Sequence, residues 1–154
     1  MKNSNFVLSS TNLGLSRLIH NLDKISFALL SKQLAQLNLS NVQALVIIYL
    51  SNNDGEVFQR DLEKEFGVTN PTMTVSLKSM QKKGLIDKVK SEKDGRYYRL
   101  LLTESGKQLY PKCMAVYTEV EAMCDSVLTS EERDTFVKLT NKLLAGLQNY
   151  QDQQ

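Results

Sequence analysis

A chain of 154 residues, 42% hydrophobic and 23% charged, has the composition of an ordinary globular protein and the length of one domain able to bury a core. A net charge of +2 excludes a strongly basic or acidic chain, one histidine and two cysteines with no Cys-x-x-Cys pair argue against a metal centre, and no apolar run approaches the roughly twenty residues of a membrane span. The first dozen residues lack an apolar core followed by a small-residue cleavage site, so no signal peptide is read there and the expected location is cytoplasmic.

Residues 1–10 read as a partly ordered arm. From Asn12 to about Leu37, the residues Leu15, Leu18, Ile19, Leu22, Ile25, Leu29 and Leu30 fall on one side of a long amphipathic helix. Ser40 with Gln43 three residues later forms a capping box, so a helix is predicted over 41–50. Its residues Val42, Leu45, Val46, Ile47, Ile48 and Leu50 mark it as buried among neighbours. Ser51 to Gly55 ends it as a loop, and Glu56-Val57-Phe58 reads as a short strand.

A compact motif follows. Leu62 and Phe66 stand four residues apart in a short helix that Gly67 stops. Thr69 or Asn70 can cap the next helix, and Pro71 suits its first turn. Met73, Leu77 and Met80 then make one apolar stripe up to Gly84. Two strand-like runs, 85–90 and 97–102, flank an Asp94-Gly95 turn signal. Helix, tight turn, helix and two-stranded ribbon make a winged helix-turn-helix over 39–103.

With Met73, Leu77 and Met80 inward, the 100° step of a helix turns Pro71, Val75, Lys78 and Lys82 outward, with Thr72 and Ser79 beside them. That face has two cations, two hydroxyls and no carboxylate, which suits a phosphate-lined groove. A lysine-rich helix end is also commonly just solvated, and cations there suit the helix dipole. Val75 is either an apolar contact to a thymine methyl or a scattered exposed side chain. The ribbon adds Lys88, Lys90, Lys93, Arg96 and Arg99. From Asn70 to Arg99, eight basic residues face three acids, a local balance of +5 in a chain of +2. Arg96 at the ribbon tip can enter a minor groove with Asp94 holding its guanidinium, or the two can simply pair on the surface.

Asn70-Pro71-Thr72-Met73-Thr74, Leu77, Lys82-Lys83-Gly84-Leu85-Ile86, Asp94-Gly95-Arg96 and Leu102-Thr103-Glu104-Ser105-Gly106 resemble the signature stretches of the MarR family of multiple-antibiotic-resistance-type regulators, in order and spacing. The resemblance implies a homodimer with one winged helix-turn-helix per subunit, bound to a palindromic operator, usually as a repressor and often released by a small ligand. It implies that the helix from Asn70 to Lys83 enters the major groove, with Thr74 among its contacts, and that Asp94 and Arg96 serve the minor groove with Lys93 beside them. Many members carry Arg where this chain has Val75, so their base-reading pattern is not carried over.

After the ribbon, Thr103 caps a predicted helix from Glu104 to about Val127, with Leu109, Val116, Val120, Met123 and Val127 at helical spacing and Pro111 in its early turns. Thr129 and Glu132 form a second capping box for a last helix over Ser130 to about Gln148, striped by Phe136, Leu139, Leu143, Leu147 and Tyr150. The expected fold is therefore mainly α: a winged helix-turn-helix with a two-stranded β wing, between a dimerisation helix in 1–38 and two more in 104–154, all one compact domain. From Pro111 onward four basic residues meet seven acids, a balance of −3 that suits a dimer end away from DNA. A two-fold dimer also matches half-sites one helical turn apart, roughly 34–36 Å.

Cys113 and Cys124 are eleven residues apart, about 16 Å along a helix, too far for an intrahelical disulfide. Both continue an apolar stripe and are expected to be buried thiols; a redox-responsive regulator using either is the alternative. His20, near the apolar side of the first helix, is expected in a core or interface, with an effector pocket as the family-based alternative. No nucleophile–base pair, clustered carboxylates or Gly-rich phosphate loop supports an enzyme, and no cofactor is implied. A winged-helix adaptor without DNA binding would show an apolar or mixed-charge outer face where this chain has lysines. The lysine-rich helix also lacks the aromatics of a membrane-surface helix. Double-stranded DNA, a second copy and possible small effectors are thus the expected partners.

Overall fold

The computed structural model describes residues 14–152. In chain order these form α1 (Gly14–Leu34), a 3-10 turn (Ala35–Leu37), α2 (Asn41–Asn52), α3 (Gln59–Phe66), α4 (Asn70–Lys82), β1 (Ile86–Lys90), β2 (Tyr98–Leu102), α5 (Glu104–Asp125) and α6 (Ser130–Asp152). They fall into two compact units, one up to Val116 and one from Tyr117. The predicted arm at residues 1–10, and the predicted start of the first helix at Asn12, lie outside the described residues. Among the described residues no single helix is long and apolar enough to cross a membrane.

In the first unit the predicted uninterrupted helix to Leu37 tightens after Leu34. Asn38 takes the left-handed conformation (φ 56°), which asparagine tolerates better than most residues. Ser40 and Gln43 then close the capping box in both directions and start α2. Ala44, Val46 and Ile47 of α2, Leu62 of α3, Met73, Leu77 and Met80 of α4, and Ile86 and Leu100 of the ribbon are all buried, with α2 packed on α4 and β2, α3 on α4, and α4 on β1. Most of the long stripe on α1 stays outside that core: Leu15, Ile19, Leu22, Ile25 and Leu29 are exposed, and only Leu34 of this helix is buried.

The predicted strand at Glu56-Val57-Phe58 does not form. A single backbone bond, Leu100 N–H to the Val57 carbonyl at 2.8 Å, is its remnant. The reason is local: the Phe58 N–H is taken by the Asp61 carboxylate (2.8 Å), which starts α3 instead of extending a ladder. Gly67, at φ 60°, ends α3 in the left-handed region where a side chain would be strained. Thr69 occupies the predicted capping position of α4. Neither candidate caps by its side chain, because the Thr69 hydroxyl meets that of Thr72 and the Asn70 amide donates to Glu63.

The end of α4, the ribbon and the start of α5 are stitched at one point. Thr103 Oγ1 donates to the Gly84 carbonyl (2.6 Å) and accepts from the Gly106 N–H (3.1 Å), while its own N–H donates to Leu85 O (3.1 Å). The backbones approach so closely that a Cβ on Gly106 would lie 2.2 Å from the Leu85 carbonyl oxygen. Gly106→Ala is therefore expected to lower unfolding stability by about 1–3 kcal/mol in a denaturant titration, the cost of overpacking a site whose obstacle is backbone. Beyond this junction β1 and β2 pair antiparallel, from Ile86 with Leu102 to Lys90 with Tyr98, and project as a two-stranded wing. The helix α5 continues through Pro111 to Asp125.

In the second unit, Thr129 and Glu132 cap α6 reciprocally (2.9 and 3.3 Å). Arg133 holds Glu121 and Asp125 at 2.6 and 2.8 Å, tying the end of α5 to the first turn of α6. Phe136, Leu139, Leu147 and Tyr150 are exposed along α6, which buries no residue.

Candidate nucleic-acid interface

The outward face of α4 follows from its inward one. Met73, Leu77 and Met80 are fully buried, so Pro71, Thr72, Val75, Lys78 and Lys82 stand in solvent. Val75 is 69% exposed, an apolar side chain set among polar ones. Ser79 is half-buried at the edge. Thr74 is half-buried too, its hydroxyl accepting from Gln59 Nε2 at 2.8 Å. The same Gln59 amide donates to Glu63 (2.9 Å), whose carboxylate also accepts from the Asn70 amide at 2.7 Å. Asn70 and Thr74 are thus braced by α3 and Thr72 by the Thr69 hydroxyl (3.0 Å), while Val75, Lys78 and Lys82 are presented freely.

At the wing tip Arg96 donates to both oxygens of Asp94, Nε at 3.0 and 3.2 Å and Nη2 at 2.7 Å, with its side chain 84% exposed. The Arg96 guanidinium lowers the pKa of Asp94, and Asp94 in return raises that of Arg96, so the pair stays ionised. Lys93 beside it is exposed. Two cations counted in the sequence are not free. Arg99 is held between Glu56 and Glu92, and Lys83 Nζ donates to the Asn38 carbonyl and to Gln43 Oε1 (3.2 Å).

An open cleft of about 260 Å³ joins these parts. It is lined by Phe58, Gln59, Arg60 and Glu63 of the α3 end, Asn70 at the start of α4, and Tyr97 and Tyr98 at the wing. Arg60 lies 5.5 Å from the Phe58 ring centre and 5.7 Å from that of Tyr97, within cation–π range of both. Sequence reasoning missed Arg60, Gln59 and Glu56. Only the aromatic pair at Tyr97-Tyr98 offered a local signal for the first of them.

The remaining candidates stand apart from this surface. His20 is exposed on α1 rather than in a core, and it does not line the cleft. Cys113 is buried as expected, and burial raises its pKa, which disfavours the reactive thiolate. Cys124 is exposed, contrary to expectation: helical spacing placed it on an apolar stripe, but that stretch of the stripe is not covered. Among the described residues no group of three His, Cys, Asp or Glu side chains is placed to hold a metal ion.

Comparison with known proteins agrees with this geometry. A family model described as MarR family matches residues 37–96. The chain is 26% identical over 112 residues to the HTH-type transcriptional regulator YybA of Bacillus subtilis (strain 168), covering 73% of this chain and 74% of the relative. It is similar in structure to the transcription regulator MarR from Oenococcus oeni PSU-1 (30% identity, TM-score 0.70, 85% of this chain and 98% of that one). It is also similar to S. aureus MepR as solved in a MepR–DNA complex (26% identity, TM-score 0.78, 86% and 97%).

Proposed function

The chain belongs to the MarR family of winged helix-turn-helix transcriptional regulators, DNA-binding proteins that are not enzymes, and on that premise we propose that it acts as a homodimeric repressor of a palindromic operator. Each subunit lays the outer face of α4 in a major groove. Thr72, Lys78, Ser79 and Lys82 meet phosphates or base edges there, Val75 meets a thymine methyl, and Asn70, Pro71 and Thr74 shape the helix entry. Lys93 and Arg96 of the wing approach the adjacent minor groove, with Asp94 holding the Arg96 guanidinium edge-on. A small effector that favours a different spacing of the two wings would release the operator.

The observation that carries this reading is Arg96: fully ionised, nearly wholly exposed, and held in one orientation by both oxygens of Asp94. A guanidinium ordered in solvent serves no core and little stability. The carboxylate-free face of α4 supports the same reading, as does the similarity to a protein solved on DNA.

Selection of bound duplexes from a random library, followed by titration across salt, tests it. A palindromic consensus with steeply salt-dependent affinity is expected, and no enrichment over non-specific sequence contradicts the reading. Lys82→Ala should then weaken unrelated duplexes about equally and reduce the salt slope by about one, as loss of a phosphate contact does. A loss confined to one sequence would make Lys82 a base reader instead.

A further inference from the structure

Glu56 precedes the first helix of the motif and is 35 residues from Ser91 in sequence, yet its carboxylate sits at the foot of the wing with only 10% of its side chain exposed. Its Oε2 accepts from the Ser91 hydroxyl at 2.7 Å, and its Oε1 accepts from the Glu92 N–H at 2.8 Å, with Arg99 Nε 3.6 Å away. The bond from Leu100 N–H to the Val57 carbonyl anchors the adjoining backbone to β2.

Ser91 carries the connection onward. Because its proton is given to Glu56, its oxygen lone pairs are free, and they accept from the N–H groups of Lys93 and Asp94, both at 3.1 Å. Asp94 in turn accepts from the backbone N–H of Arg96 at 3.1 Å as well as from its guanidinium. An unbroken series of hydrogen bonds therefore runs from Glu56 through Ser91 to the orientation of Arg96.

We propose that Glu56 is a positioning residue for DNA binding, fixing through Ser91 the loop that presents Arg96. The inference rests on the DNA-binding reading above and deepens it. A carboxylate is the group this place requires. Both of its oxygens accept, whereas a glutamine has one acceptor and must turn an N–H₂ towards either the Glu92 N–H or the Ser91 hydroxyl. In the first case two donors face each other. In the second, Ser91 spends a lone pair and releases Lys93 or Asp94.

Simple electrostatics gives the opposite sign. Removing an acid near a DNA face should tighten binding to phosphates, whereas loss of a positioned wing should weaken it. With a selected duplex at fixed salt, Glu56→Gln is expected to weaken binding about tenfold, on the order of one hydrogen bond to a charged group. The salt slope should stay unchanged, because no phosphate contact is lost. Ser91→Ala should reproduce the effect at the next link. In an Arg96→Ala background Glu56→Gln should cost nothing further. Unchanged or tighter binding by both single variants, or a loss that adds in full to that of Arg96→Ala, overturns the proposal.

Amide hydrogen exchange in the free protein keeps the two readings separable. The N–H groups of Glu92, Lys93 and Asp94 should exchange slowly in the wild type and faster in Glu56→Gln, whatever the protein binds. Unaltered exchange would refute the role of Glu56 directly, while a wild type that binds no duplex would refute the DNA reading.

Discussion

Arg96→Ala is expected to weaken binding to the palindromic duplex by between about fivefold and a hundredfold, the range for one groove contact by a guanidinium. The side chain is 84% exposed, so its removal leaves no cavity, and the thermal midpoint should be that of the wild type. The exposed pair with Asp94 does little for stability in the free protein, since water screens it. On the proposed reading its value would lie in the bound state, where a guanidinium ordered beforehand loses less freedom on entering the groove. Arg96→Lys keeps the charge and loses the fork that matches both oxygens of Asp94, so it should fall between the two. Anisotropy titrations of the three proteins beside their melting curves provide the check. Full affinity in Arg96→Ala would remove the wing tip from the mechanism.

Leu22→Glu on α1, or Leu139→Glu on α6, is expected to convert a dimer to a monomer and to cost a hundredfold or more in operator affinity. In a single chain Leu15, Ile19, Leu22 and Ile25 stand exposed at helical spacing on α1, as do Phe136, Leu139, Leu147 and Tyr150 on α6. One exposed leucine is common in a folded protein; a continuous apolar stripe, on either helix taken by itself, is a face awaiting cover. In the dimer proposed above, a second copy would provide that cover and a second recognition helix together. When one half-site is engaged, the tethered copy meets the other at high effective concentration, a gain of roughly 10²–10⁴ over a single half-site. A glutamate in either stripe would have to be buried unpaired on assembly. Sedimentation of each variant at micromolar concentration should give monomer, with affinity for an isolated half-site retained. A variant that stays dimeric, or one that binds the full palindrome normally, would place the interface elsewhere.

Elements whose ends are set by local chemistry were legible in the sequence. Ser40 with Gln43 and Thr129 with Glu132 cap helices where expected, because the interacting groups are three residues apart. Gly67 and Gly84 adopt the positive φ that made them stop signals. The Asp94–Arg96 pair was legible for the same reason, being two residues apart. What depended on distant partners was not. Glu56 reaches across 35 residues to Ser91, and Arg60 finds Tyr97 only after the wing has folded back. Lys83 and Arg99 counted as wing and helix charge, yet both are tied to acceptors on other segments. Periodicity also reports that a helix has an apolar side without reporting what covers it. The exposed stripe on α1 and the exposed Cys124 are two results of that one blind spot.

Hydroxyl-radical footprinting on a duplex selected from a random library tests most directly whether two copies read DNA as one symmetric unit. Two protected patches should appear, related by a dyad, on one face of the duplex with centres roughly 34–36 Å apart, and the minor-groove flanks should lose protection in Arg96→Ala. One patch without a symmetry mate, or flanks equally protected with and without Arg96, would contradict it.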